Sequence, residues 1–207
     1  MNVAVLGSGS WATALAKIVM HNVAEINWYI RKQETIDEFR EIRRNPNHLE
    51  WAYFDISRIN FSNDINQVLS EAELVILAVP SPYVKDVLAE ITVDMSQKKV
   101  ISAVKGMIPG DNILVTDYLH EHFHIHENNL GMITGPCHAE EIALERLSYL
   151  TIGCKDTANA TEWQKLFDTP YVRTTPSNDM KGLEYASVMK NIYAIAAGMC
   201  TSLRYGD

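Results

Sequence analysis

Cysteine is scarce in this sequence. The three that occur, Cys137, Cys154 and Cys200, are odd in number, widely spaced and form no C-x-x-C pair. That pattern argues against a disulfide framework and for reduced thiols in a cytosolic protein. Positive charge is also short: 18 Lys and Arg face 26 Asp and Glu, for a net charge of −8. This balance argues against nucleic acid or an anionic membrane surface as a partner, while a local basic pocket could still hold a phosphate. No basic leader with an apolar core precedes the first predicted strand, so no signal peptide is expected. Long hydrophobic runs are missing as well. The most apolar late stretch, Tyr185 to Cys200, is interrupted by Lys190 and Asn191 and is too short and polar to span a bilayer. What remains is a chain of 207 residues, 47% hydrophobic, able to build one full α/β domain and part of another. A soluble, cytoplasmic protein is expected.

The opening stretch carries the strongest pattern. Asn2–Leu6 is a short run of β-formers closed by glycine, which reads as a buried parallel strand. Gly7, Gly9 and Ala12 then fit G-x-G-x-x-G/A where a strand turns into a helix. Gly7 permits the tight turn, Gly9 lets a pyrophosphate approach the backbone, and Ala12 lets the helix pack close to the strand. From Trp11 to Met20 the residues favour a helix, so phosphates would rest over its N-terminus, where free N–H groups and the dipole attract anions. The motif alone is weak; with a strand before it and a helix after it, it points to dinucleotide binding.

Further strands are predicted at Ile26–Ile30, Asn60–Ser62, Leu74–Val79, Lys99–Val104, Leu130–Thr134, Leu147–Cys154 and Tyr171–Thr174. Helices are predicted at Gln33–Arg43, after an Asp64 cap, at Tyr83–Ile91, Asp111–His122, after Pro136, and at Ala158–Phe167. The aromatic-rich segment Asn47–Ser57 reads as a packed loop. Thr175-Pro176-Ser177 breaks the pattern and sets the expected domain boundary, giving domains at 1–177 and 178–207. Asp179 to Leu203 reads as one long helix, apolar nearly all round, and such a helix belongs inside something.

Several strand ends carry candidate ligand contacts. Arg31 and Lys32 follow the second strand, where an acidic residue favours NAD and a basic one accepts the 2′-phosphate of NADP. A solvated basic pair is the other reading. Pro80-Ser81-Pro82 ends the fourth strand, at the edge of a ligand crevice and equally suited to start a helix. Lys105-Gly106 ends the fifth, as an anion or substrate contact or a solvated lysine. His120, His122, His124 and His126 alternate without a nearby cysteine; helix spacing would split them, so a solvated helix end is preferred to zinc. Gly135-Pro136-Cys137-His138 leads into an acid-capped helix. For Cys137, lining a ligand ranks first, inert packing second and covalent catalysis last. Lys190, within the apolar helix, must snorkel or belong to a site, and a site is preferred.

Together these pieces resemble the NAD(P)-dependent sn-glycerol-3-phosphate dehydrogenases. The resemblance rests on Gly7-Ser-Gly-Ser-Trp-Ala-Thr-Ala-Leu-Ala16, Val79-Pro-Ser81, Lys105-Gly106, Gly135-Pro136 with Ala139-Glu140-Glu141, and Lys190-Asn191-Ile-Tyr-Ala-Ile-Ala-Ala-Gly198, in the family's order and along the whole chain. It implies a Rossmann-type, doubly wound, mostly parallel α/β sheet followed by the first long helix of an all-helical domain. NAD(P)H would be the cofactor, held by Gly7, Gly9, Ser10, Trp11, Arg31, Lys32, Pro80, Lys105 and Ala139. The small-molecule phosphate substrate would meet Lys105, Gly135, Cys137 and Asn191, with Lys190 as catalytic acid/base, and no metal is implied. The implied reaction interconverts dihydroxyacetone phosphate and sn-glycerol 3-phosphate, supplying glycerol phosphate for phospholipid synthesis. Ala12 stands for the usual third glycine, and Cys137-His138 for the commoner Ser-Phe. A thiol is a weaker hydrogen-bonding group than a hydroxyl, which bears on the Cys137 contact.

Family members continue into a helical substrate domain that supplies an Asp and an Arg-Asn motif, so the end at Tyr205-Gly206-Asp207 reads as a truncation. Weak cofactor binding, little turnover and self-association through the exposed apolar helix are therefore expected of the chain by itself. A β-hydroxyacid or ketopantoate-type reductase and a non-catalytic nucleotide-sensing module are the rival readings.

Overall fold

The computed structural model describes residues 1–205. Eight strands form one sheet: β1 (Val3–Leu6), β2 (Ile26–Tyr29), β3 (Ile59–Ser62), β4 (Leu74–Leu77), β5 (Lys99–Ser102), β6 (Leu130–Thr134), β7 (Ser148–Cys154) and β8 (Val172–Ser177). Their spatial order is β3-β2-β1-β4-β5-β6-β7-β8. All neighbours run parallel except β6 and β7. The chain winds outward from β1 in one direction and then restarts at β4 on its other side. The gap between these two strands is a topological switch point, the place where such sheets bind ligands.

Among the described residues seven α-helices connect the strands, α1 (Ser10–Val19), α2 (Gln33–Ile42), α3 (Ile65–Ser70), α4 (Val84–Ala89), α5 (Val115–Phe123), α6 (Ala139–Ala143) and α7 (Thr157–Phe167), and α8 (Met180–Ser202) follows β8. The period-2 geometry of a strand divides the core into two layers. In β1, Val3 and Val5 face a layer with α1, α2, α6 and α7, whereas Ala4 and Leu6 face one with α3, α4 and α5. Burial on both faces is why these strands read as unbroken apolar runs. Trp28 of β2 packs among Phe39, Phe54 and Phe61, with ring centroids 5.3, 5.6 and 5.7 Å away.

Several expectations are corrected. Strand β8 runs through Thr175-Pro176-Ser177 instead of breaking there, pairing Pro176 with Ile152 and Ser177 with Gly153. It is an edge strand, where the missing proline N–H costs little. The helix expected from Asp111 starts only at Val115, because Pro109-Gly110 makes a turn closed by an Ile108–Ile113 bridge, with Gly110 at φ 86°. In the Asn47–Ser57 loop Leu49, Ala52 and Phe54 are buried, but Trp51 and Tyr53 are exposed. Helix α8, expected to be apolar and exposed in the chain by itself, packs only at its base. Only Met180, Glu184 and Ser187 are buried, and residues 189–203 are exposed throughout. Its first turns pack on β6 and β7; among the described residues nothing covers the rest. No helix of the described residues is long and apolar enough to cross a membrane.

Candidate active site

The turn from β1 into α1 is built around two glycines with different tasks. Gly7 has φ +119°, and a Cβ there would lie 2.5 Å from the Ala78 carbonyl oxygen at the end of β4. Both the conformation and the contact require glycine. Gly9 has ordinary extended geometry and open space above it, with nothing within 4 Å of where a Cβ would point. It is the N-cap of α1, and no described side chain caps that helix end. Its first N–H groups are therefore available to an anion.

A cleft of about 360 Å³ opens beside this turn, lined by Gly9, Ser10, Trp11, the segment from Ala78 to Pro82, and Ala103 to Lys105. These are the carboxyl ends of β1, β4 and β5, which flank the switch point. Larger hollows occur near Trp51 and Arg58 and at the opposite strand ends, but neither contains the phosphate turn. Gly106, at φ +153°, brings the loop after β5 against Ser81; a Cβ would come within 2.5 Å of the Ser81 hydroxyl oxygen. That close approach shapes the cleft wall behind Lys105.

Lys105 Nζ lies 4.6 Å from the centre of the Trp11 ring, a cation–π contact across the mouth of the cleft. Crowding by protein, and then the charge of Lys190, push the Lys105 pKa below the ordinary lysine value, with Cys137 opposing weakly. Lys190 and Asn191 are neighbours on the exposed part of α8 and are not among the residues that line the cleft. Cys137 is 2% exposed within the core. Burial pushes its thiol pKa up, Lys105 and Lys190 pull it down, and Glu141 raises it again; burial dominates. A buried, protonated thiol is a poor nucleophile.

The other expected residues lie around this centre. Arg31 and Lys32 are exposed just beyond β2, and Lys32 precedes α2. Gly135 ends β6, where a Cβ would strike the Tyr149 carbonyl at 2.3 Å, so its immediate task is to let β7 approach. Ala139 is buried at the start of α6, which packs on α1. Gly135, Cys137 and Ala139 do not line the 360 Å³ cleft, whereas Gly9, Ser10, Trp11, Pro80 and Lys105 do. His138 precedes α6, its backbone N–H donating to Glu141 Oε2 at 3.2 Å. The alternating histidines are scattered: the His120 ring meets the Ile125 carbonyl at 2.9 Å, and His122 packs against Tyr118.

Two residues beside this site and one at the base of α8 carried no sequence signal. His48 brings its Nδ1 to 3.2 Å from Ser10 Oγ. Asn45 is 1% exposed, and its amide donates to the Ser8 carbonyl at 2.9 Å and to Thr13 Oγ1 at 2.8 Å. Glu184, fully buried on α8, accepts from the Val115 and Thr116 N–H groups at 2.8 and 3.2 Å and thereby caps α5. All three contacts bridge residues 32 or more positions apart, which no local pattern encodes.

The site suits a dinucleotide. A cradle over Gly9 is open, an uncapped helix N-terminus faces it, and the buried Trp11 indole N–H has no partner among the described residues.

Comparison with known proteins places the chain in a family. The family model for the N-terminus of NAD-dependent glycerol-3-phosphate dehydrogenase matches residues 2–160, and that for its C-terminus matches residues 179–207. Glycerol-3-phosphate dehydrogenase (NAD(P)+) of Exiguobacterium sp. is 33% identical over 100% of this chain and 61% of its own length. The Oceanobacillus iheyensis protein of the same name is 33% identical over 99% of this chain and 59% of its own. The solved structure of Plasmodium falciparum glycerol-3-phosphate dehydrogenase superposes with a TM-score of 0.89 at 30% identity, covering 99% of this chain and 60% of that one. The Coxiella burnetii enzyme, at 22% identity and a TM-score of 0.83, shares the fold. The chain thus spans about 60% of the length of the relatives it matches. With the motif, the switch-point cleft and the two family matches in agreement, the chain belongs to the NAD-dependent glycerol-3-phosphate dehydrogenase family.

Proposed function

We propose that this chain binds NAD(P)H over the β1–α1 turn and serves the interconversion of dihydroxyacetone phosphate and sn-glycerol 3-phosphate. The observation that carries this reading is the meeting of the uncapped α1 N-terminus, Trp11 and Lys105 at one cleft. Gly7, Gly9, Ser10, Trp11, Pro80 and Lys105 would hold the dinucleotide, with Arg31 and Lys32 toward the adenine ribose and Ala139 at the nicotinamide end. The bound cofactor supplies or accepts a hydride at the substrate carbon. Lys190 gives a proton to the developing alkoxide of the ketone, or takes one from the secondary hydroxyl in reverse. Lys105 and Asn191 would meet the substrate, with Gly135 and the buried Cys137 supporting that wall from behind, and the two lysines suit its phosphate and polarised oxygens.

Residues 1–177 form the cofactor-binding unit in this proposal and 178 onward the start of a second domain, which accords with family matches at 2–160 and 179–207. Self-association through Ile192, Ile195 and Met199, each at least 60% exposed, also belongs to it. So does a cytoplasmic location, which the three free cysteines favour.

The test is reduction of dihydroxyacetone phosphate by NADH and NADPH, measured for this chain alone and supplemented with the C-terminal part of a relative. Ketopantoate is the control substrate. Turnover of dihydroxyacetone phosphate alone is the expected result. Turnover of ketopantoate instead assigns a different reductase, and cofactor binding without any turnover in the supplemented system assigns a sensor.

A further inference from the structure

The peptides of the phosphate turn are held from below by three side chains. Trp28 Nε1–H donates to the Gly7 carbonyl at 2.7 Å, Asn45 Nδ2 to the Ser8 carbonyl at 2.9 Å, and Thr13 Oγ1 to the Gly9 carbonyl at 3.0 Å. Three consecutive carbonyls are thus occupied on the protein side. In a planar trans peptide the C=O of one residue points opposite to the N–H of the next. Fixing the carbonyls of Gly7, Ser8 and Gly9 therefore fixes the N–H groups of Ser8, Gly9 and Ser10 on the other side, toward the cleft.

Asn45 is the hub of this arrangement. It is 1% exposed, its Oδ1 accepts from the Asn47 N–H at 3.0 Å, and its second donor bond goes to Thr13 Oγ1, the hydroxyl that holds Gly9. A buried amide is tolerated only when its polar atoms are satisfied, and every bond of this one bears on the turn or its own loop. Trp28 is equally fixed, clamped among three phenylalanine rings. Donors set in place before the ligand arrives cost no reordering when it binds.

We propose that Asn45, acting through Ser8 and through Thr13, is a positioning residue for the dinucleotide pyrophosphate. The inference rests on reading this cleft as the cofactor site. It assigns to the loop after α2, more than thirty residues from the glycine motif, control over how the motif meets phosphate.

Binding of NADH and NADPH to the 207-residue protein, followed by nicotinamide fluorescence, tests it, with ADP and adenosine as competitors. Asn45→Ala is expected to weaken both dinucleotides at least about tenfold, and ADP by a similar factor, with adenosine unchanged. Thr13→Val is expected to weaken them several-fold and Thr13→Ser to restore wild-type affinity; this pair carries the test if Asn45→Ala does not fold. Unchanged affinity in Asn45→Ala or Thr13→Val overturns the proposal while the cofactor reading survives. So does an equal loss for adenosine and ADP, which marks general loosening. A wild-type protein that binds neither dinucleotide overturns the cofactor reading and this inference with it.

Discussion

The turn after β1 and the helix α8, which the proposal brings to one site, are held in opposite ways. Each carbonyl from Gly7 to Gly9 is bonded from below, and the turn lies against β4 through Gly7. Helix α8 is fixed only at its base, by Met180, Glu184 and Ser187; Lys190 follows Glu184 by six residues, roughly 9 Å along the axis. The turn proposed to recognise phosphate is thus held by the core, while the lysine proposed for proton transfer rides on an exposed helix. In that reading preorganisation is concentrated where the charged ligand would be gripped. The proposed acid/base group is carried by an element whose apolar side chains are exposed among the described residues.

Breaking the α8 side should give the largest effect. In the chain supplemented with the C-terminal part of a relative, Lys190→Ala is expected to lower turnover about 10²- to 10⁴-fold, the range for loss of a general acid–base group, with dinucleotide affinity nearly intact. Steady-state rates beside binding titrations check this, and near-normal turnover removes Lys190 from the mechanism. On the turn side, Gly7→Ala combines a φ of +119° with a 2.5 Å approach to the Ala78 carbonyl. A cost of about 3 kcal/mol is expected from such strain and overlap, read as a lowered urea midpoint. An unchanged midpoint shows that the turn can shift and that its rigidity has been overstated.

The same contrast explains what could be read in the chain. Strands buried on both faces announce themselves as apolar runs, and the Gly7–Gly9–Ala12 spacing encodes a local turn, so the sheet and the glycine turn were both legible. Pro176 misled because a proline means one thing in a central strand and another at an edge, and edge position is a tertiary fact. Asn45 and Glu184 stayed hidden for a related reason: each satisfies backbone groups brought near only by folding. The apolar surface of α8 was legible, but what it faces was not, because an apolar surface specifies burial without naming the partner.

Glu184 sharpens the comparison from the α8 base. Burial raises its carboxyl pKa despite the opposing hydrogen bonds from Thr116 and Val115. A carboxyl with a raised folded pKa contributes stability that is present below its unfolded value and lost as pH rises through the folded value. Glu184→Gln should therefore be at least as stable as wild type at pH 7 and should lack that part of the pH dependence. Glu184→Ala leaves the Val115 and Thr116 N–H groups unpaired and opens a void, a loss of about 2–3 kcal/mol. Thermal melts across pH 4–8 separate the three proteins. Equal slopes for wild type and Glu184→Gln assign the anchoring of α8 to packing alone.

Gly9→Ala probes the turn most gently. Its backbone is extended, with φ −75° and ψ 176°, a conformation any residue adopts, and a Cβ would meet nothing within 4 Å. Folding stability should therefore change by only a few tenths of a kcal/mol, as for exchanges away from strained or packed positions. The methyl would nonetheless stand in the open space where a pyrophosphate approaches the helix N-terminus, so dinucleotide affinity should fall about tenfold. Two neighbouring glycines would then fail differently: Gly7 through the fold with binding following it, Gly9 through binding with the fold untouched. If Gly9→Ala binds NADH and NADPH as wild type does, the phosphate does not rest on this turn, and the rigid carbonyl scaffold beneath it serves the fold alone.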